Sequence, residues 1–259
     1  MLHLFRSLRG LDGVVHGVST RDGGVSRGPF ESLNLGLHVG DAPAAVAENR
    51  QRFCRAVGVE PDSLVAGAQV LGNAVAWVTE GDRGRGAADL ASALPDTDAL
   101  ITDSRGVALI TFSADCPLVA LVDPMRRAVG VAHASRRGTL GQVAARTVRA
   151  MQRLLGCDPG ELLAAVAPSI GPCCYEVGEE VLAEARAALP DGDRYFHRRE
   201  GRLHLDLWAA NAAQLAAAGV PPERIELAGV CTRCHADRFF SHRASGGRTG
   251  RFALILGLR

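Results

Sequence analysis

The sequence predicts a mixed α/β fold in which sheets are flanked by helices. Two observations carry this. Short apolar runs rich in β-branched residues recur along the whole chain, and segments of helical periodicity bounded by caps and glycines lie between several of them. The runs are 14–18, 74–78, 107–112, 118–122, 128–132, 162–167, 225–229 and 252–256. They cluster in the middle of the chain without strict strand–helix alternation, so layered sheets fit better than a doubly wound one.

The helices follow from their end signals. Asp41 is placed to cap a helix running to Val57, with Val46, Phe53 and Val57 apolar and Gly58 after its end. Thr139 is placed to cap a second over 139–155, where Leu140, Val143, Val148, Met151 and Leu155 recur near every 3.6 residues and Gly156 ends the run. Segments 178–189 and 207–218 read as further helices, the latter closed by Gly219, Pro221 and Pro222. Segments 81–86 and 191–201 read as surface loops. With no repeat, low-complexity tract or dividing linker, residues 1–259 are expected to form a single domain.

A 47% hydrophobic chain of this length can bury a sizeable core. Its 29 basic and 28 acidic residues leave a net charge of +1, which gives no global reason to expect nucleic acid, membrane or a polyanionic partner. Any anion site must be local. Residues 1–10 lack the continuous apolar stretch of a signal peptide, and no run approaches a membrane span. Seven cysteines, an odd number, then read as reduced thiols of a cytoplasmic protein rather than a disulfide framework.

Two motifs could carry chemistry. The run at 129–133 ends in His133 and turns at once into the helix signal, with Arg136 and Arg137 beside its start, where free N–H groups could hold phosphate or carboxylate. The segment Ala114-Asp-Cys-Pro117 puts Asp115 and Cys116 between two apolar runs. Cys116 and His133 could ligate zinc or act as nucleophile and base, provided they converge. Cys231-Thr-Arg-Cys234-His235 matches the c-type haem-attachment pattern and also half of a zinc ribbon, but haem attachment calls for an export signal that the sequence does not show and a ribbon for a second CxxC, absent because Cys173 and Cys174 are adjacent, so Cys231 and Cys234 read as structural thiols. The glycine loop Gly246-Gly-Arg-Thr-Gly-Arg251, carrying two arginines, Arg248 and Arg251, could close over an anionic or nucleoside ligand, and Arg21 with Asn34 downstream suggests the same.

In order along the chain, 16–25, 33–41, 98–102, 114–117, 167–178, 205–211 and 239–251 resemble the bacterial laccase-domain family, the YfiH-like purine nucleoside phosphorylases. The resemblance implies a layered α/β/β/α sandwich with mixed sheets. It implies zinc held by a histidine of a Gln-Val-His motif, by Cys116 and by His133, copper being described for the family as well. It also implies phosphorolysis of adenosine, inosine and methylthioadenosine, or adenosine deamination, in a monomer or homodimer acting on small molecules. Peptidoglycan-precursor amide hydrolysis with Cys116 as nucleophile or zinc ligand, polyphenol oxidation and non-catalytic ligand binding are the alternatives. Two positions depart from the pattern: Leu71 stands where the first metal histidine is expected, and Ser135 where glycine is commoner. Leucine donates to no metal, so zinc binding should be weakened. No His-x-His pair occurs among the 8 histidines, so the sequence does not support a copper cluster. On this reading Cys116, His133 and Asp115 are catalytic, with Arg21, Asn34, Arg136, Arg137 and Arg248 binding substrate.

Overall fold

The apolar runs become strands because both of their faces find apolar partners. The computed structural model describes residues 2–259. Its first half contains β1 (Leu2–His3), β2 (Val14–Ser19), α1 (Pro43–Val57), β3 (Leu64–Ala66), β4 (Val75–Trp77), β5 (Ala99–Thr102), β6 (Ala108–Ser113), β7 (Leu118–Asp123) and β8 (Ala128–His133). There follow α2 (Arg136–Leu140), α3 (Val143–Leu155), β9 (Leu163–Val166), α4 (Glu179–Ala188), β10 (Phe196–Arg199), β11 (Arg202–Leu205), α5 (Leu207–Ala217), β12 (Ile225–Leu227) and β13 (Phe252–Leu258).

Two mixed sheets result, ordered β1-β2-β13-β6-β3 and β12-β9-β7-β8-β5-β4, beside a β10-β11 hairpin. The period-2 alternation of β13 shows how they stack. Phe252, Leu254, Leu256 and Leu258 meet Leu118, Ala120, Val122, Val129 and Val131 of the second sheet in one core. Ala253 and Ile255 point the other way, onto Phe53, Cys54 and Val57 of α1. On the far side, Val119, Leu121, Ala128 and Ala132 pack under Val148 and Met151 of α3 and Leu215 of α5. The layers are helix, sheet, sheet, helix, as the family resemblance implies. Central strands covered on both faces read as continuous apolar runs, which is why the sequence displays them so plainly.

Four local expectations are corrected. Helix α1 starts at Pro43 with Ala42 as its cap, while the Asp41 carboxylate accepts from Ser26 Oγ, Asn34 Nδ2 and the Ala42 N–H. The helix expected over 139–155 is two helices, broken where Gln142 takes φ 59°. A Cβ on neighbouring Gly141 would lie 2.6 Å from Asn73 Nδ2, whose amide donates to the Gly141 carbonyl. Ser135, not Thr139, is the cap, accepting from the Gly138 N–H at 2.9 Å. Ser135 sits at φ −56°, so its backbone needs no glycine. Part of the expected loop 191–201 is β10, which pairs antiparallel with β11 in a hairpin whose mostly exposed outer residues hid its periodicity.

Close packing of the helix layer on the second sheet depends on Gly130. A Cβ there would meet Ile101 Cγ2 and Met151 Sδ at 3.1 Å. Gly130→Ala is expected to lower stability by about 1–3 kcal/mol, the usual cost of overpacking a filled core. Urea unfolding checks this, and an unchanged midpoint would show that the layer is slack.

Candidate active site

The crossover between the sheets builds the site. Strand β6 ends at Ser113 in the first sheet and β7 begins at Leu118 in the second, so Ala114–Pro117 spans the gap, with the Ser113 hydroxyl donating to the Cys116 carbonyl at 2.7 Å. Because β8 runs antiparallel to β7 with Leu118 opposite His133, the last residue of β8 comes beside Cys116. Asp115 takes φ 101°, rare for a residue other than glycine. Three contacts hold it there: Thr232 Oγ1 donates to Oδ1 at 2.6 Å, the Arg243 N–H to Oδ2 at 2.7 Å and the Ile170 N–H to its carbonyl at 2.8 Å.

His133 is buried, and its Nδ1 lies 2.9 Å from Asp98 Oδ1. Burial disfavours the imidazolium, but hydrogen bonds to Asp98 and Cys116 outweigh it and raise the pKa from 6.5 to about 9. Burial likewise disfavours the Asp98 carboxylate, yet donors from His133, the Gly72 N–H and the Val70 N–H bring it below its ordinary value. The sign for His133 is that of a proton held more tightly in the folded chain. Its stabilising contribution is full below pH 6.5 and is lost as pH rises through about 9.

Beside this pair opens a cavity of about 550 Å³, with Leu37, Ala68, Leu90, Phe112 and Ile170 in its apolar wall. Its polar wall holds three arginines, Arg50, Arg243 and Arg251, with His38 and His242, against one carboxylate, Asp115. None of these three arginines pairs with a carboxylate among the described residues. Arg50 lies on the buried face of α1, donates to the Leu35, Gly86 and Ala87 carbonyls and stacks on Phe112, and burial lowers its pKa to about 10. Burial also lowers the Arg251 pKa, partly offset by Cys116 and Asp115. His38 is lowered by burial and by Arg251 and Arg50.

Asp115, Cys116 and His133 therefore stand together in the cavity wall, whereas Arg21, Asn34, Arg136, Arg137 and Arg248 do not line it. Arg21 donates to the Glu31 and Ala236 carbonyls and stacks on Phe240, a brace between loops. Asn34 is buried and accepts from the Arg251 N–H at 2.8 Å, so it orients a cavity arginine. Arg136 pairs with Glu184, Arg137 is exposed, and Arg248 lies over Phe30. The anion-ready helix start is a five-residue helix outside the cavity wall. Sequence reasoning missed Asp98, Arg50 and Arg243 as site residues, while of the two arginines of the glycine loop it is Arg251, not Arg248, that lines the cavity. A visible signal existed for Arg50, an arginine within the 46, 50, 53, 57 stripe of an amphipathic helix.

A catalytic zinc takes three protein donors and an open position. His133 suits it, since a carboxylate on Nδ1 leaves Nε2 for the metal. The third donor is missing. Leu71 stands in the cavity wall at φ 61° and 43% exposed. No further His, Cys, Asp or Glu joins Cys116 and His133 in a metal-sized group among the described residues. The donor set does not fit that zinc. The one such group lies elsewhere: Cys173, Cys174, Cys231 and Cys234 converge, although their sequence spacing gave no second CxxC.

The family model described as "Multi-copper polyphenol oxidoreductase laccase" matches residues 15–259. The chain is 42% identical over 249 residues to a Geobacillus stearothermophilus protein named purine nucleoside phosphorylase YlmD, covering 95% of this chain and 91% of that one. It is 35% identical over 245 residues to adenosine deaminase RL5 of an unknown prokaryotic organism, covering 94% and 93%. The crystal structure of the Bacillus licheniformis hypothetical protein YfiH superposes with a TM-score of 0.93 at 37% identity, covering 97% of this chain and 95% of that one. The family model, the relatives and the solved structure agree: the chain belongs to the multi-copper polyphenol oxidoreductase laccase family.

Proposed function

We propose that the protein is a purine nucleoside phosphorylase acting on adenosine, inosine and methylthioadenosine in the cytoplasm, as a monomer or homodimer. The observation that carries this reading is the cavity itself: an apolar wall for a base, three arginines without carboxylate partners for an anion, and His133 and Cys116 beside them. The relative named purine nucleoside phosphorylase YlmD supports the same chemistry. Phosphate binds between the guanidinium groups, where desolvation strengthens each charge-assisted contact. Its oxygen attacks the ribose anomeric carbon. The glycosidic C–N bond breaks, its electron pair leaves with the purine, and His133, protonated at neutral pH, supplies the proton that the purine takes up. Asp98 holds His133, and Asp115, both of whose oxygens accept from protein donors, shapes the crossover rather than carrying a proton. Zinc is expected to bind weakly at Cys116 and His133, for want of a donor at Leu71.

Adenosine deamination is the second reading, favoured by the relative named adenosine deaminase RL5. It calls for an activated water, which a metal held by three protein donors with one position left open would supply. Position 71 is suited to a histidine, because residues at positive φ are enriched in His, Asn and Asp relative to leucine.

Three measurements test these readings. Chromatography of adenosine or inosine incubated with and without phosphate is expected to give free base and ribose 1-phosphate only with phosphate. Phosphate-independent inosine from adenosine would favour deamination, and no product from either nucleoside would defeat both. Arg251→Gln is expected to raise the phosphate KM roughly tenfold to a hundredfold, the loss of one charged hydrogen bond of about 1.5–3 kcal/mol, with the thermal midpoint as a folding control. An unchanged KM would remove Arg251 from the phosphate site. Leu71→His is expected to gain about one zinc equivalent over the parent chain by elemental analysis. Equal zinc in the two chains would mean that position 71 does not face the metal.

A further inference from the structure

The two segments that close the wall of the cavity meet at four thiols. The strand extension after β9 is zipped to the segment after β12: the Ser169 N–H donates to the Val230 carbonyl and the Thr232 N–H to the Ser169 carbonyl, both at 3.1 Å. Each segment then turns tightly. The Cys174 N–H returns to the Gly171 carbonyl at 2.9 Å, and the His235 N–H to the Cys231 carbonyl at 3.0 Å. Each turn presents two cysteines to the other, and all four sulfur atoms lie within 4.8 Å of one another. Cys234 Sγ is 3.4 Å from Cys174 Sγ and 3.7 Å from Cys173 Sγ.

We propose that Cys173, Cys174, Cys231 and Cys234 form a structural tetrathiolate zinc site, separate from the catalytic cavity. Zinc–thiolate bonds of about 2.3 Å in a tetrahedron set the sulfur–sulfur edge at about 3.8 Å, close to the spacing present before any metal draws the ligands in. The donor set is all sulfur, which selects zinc over magnesium or calcium. Gly171 prepares the site in two ways. Its N–H donates to Cys231 Sγ at 3.3 Å, the outer-shell contact that steadies a metal-bound thiolate. Its missing side chain leaves room, because a Cβ would lie 2.6 Å from Trp208 and 3.3 Å from Cys173 Sγ. Four thiols lose their protons to solvent as the ion binds, and the zinc ion offsets two of the four negative charges so formed.

The site clips the active-site wall. Thr232, beside Cys231, holds Asp115 Oδ1, and Ile170, beside Gly171, holds the Asp115 carbonyl. Tyr175, next to Cys174, lines the cavity. The clip is independent of the nucleoside reading, since it concerns residues outside the cavity wall.

Elemental analysis of protein purified under reducing conditions is the test, on the natural chain, Cys116→Ser and Cys231→Ser/Cys234→Ser. The natural chain and Cys116→Ser are expected to keep about one zinc per chain, and the double variant to lose it. Because the double variant could fail to fold, the natural metal-free chain is also titrated with cobalt(II). Intense thiolate-to-cobalt charge transfer with tetrahedral d–d bands, saturating at about one equivalent, is expected. Zinc retained by a folded double variant, zinc lost with Cys116, or no thiolate–cobalt band in the natural chain would overturn the proposal. Disulfides among the four cysteines in natural chain that takes up no zinc after reduction would overturn it equally.

Discussion

A buried carboxylate organises this site. Asp98 is placed at the start of β5 among apolar residues, where an unpaired charge would cost several kcal/mol. Its three donors come from two places: His133 at the end of β8, and the N–H groups of Val70 and Gly72 in the loop before β4. The backbone repeats the tie, with the His133 N–H donating to the Asp98 carbonyl at 2.8 Å. One side chain thus fixes the orientation of His133 and the loop that carries Leu71, two residues of the cavity wall.

The first sheet meets this assembly through Gln69 and the crossover. Gln69 Oε1 accepts from the Phe112 N–H and its Nε2 donates to the Phe112 carbonyl, so a side chain completes the pairing of β6 where β3 has ended. Three positions further along, Asp115 holds an uncommon backbone conformation against three donors. Conformations of that kind persist only where the surroundings over-determine them. Here they set Cys116 beside His133 at the junction of two sheets, and the cavity forms where the crossover leaves the layers unfilled.

The layers were legible in the sequence because the central strands, apolar on both faces, give continuous runs, and because Gly58 and Gly156 mark helix ends. What escaped was short or decided by tertiary contacts. β1 has two residues and β3 three, too few to show a period, and the break at Gln142 answers to Asn73, a residue 69 positions away in sequence. In the site, Cys116 and His133 were visible as motifs at run ends. Their convergence depended on the Leu118–His133 register, which no local pattern encodes. Arg136 and Arg137 drew attention as basic residues at a helix start. The arginines of the cavity wall come instead from a helix face, a loop and the approach to β13, joined only by the fold.

The central claim is that Asp98 keeps His133 charged at the edge of the cavity, and the His133 titration tests it most directly. Imidazole ¹⁵N signals would be followed against pH in the natural chain and in Asp98→Asn, with His133→Gln to assign the resonance. The account predicts a midpoint near 9 in the natural chain and a fall toward 6.5 or below once the carboxylate is gone, because burial then acts with less opposition. Equal midpoints in the two proteins, or a natural midpoint at or below 6.5, would contradict it.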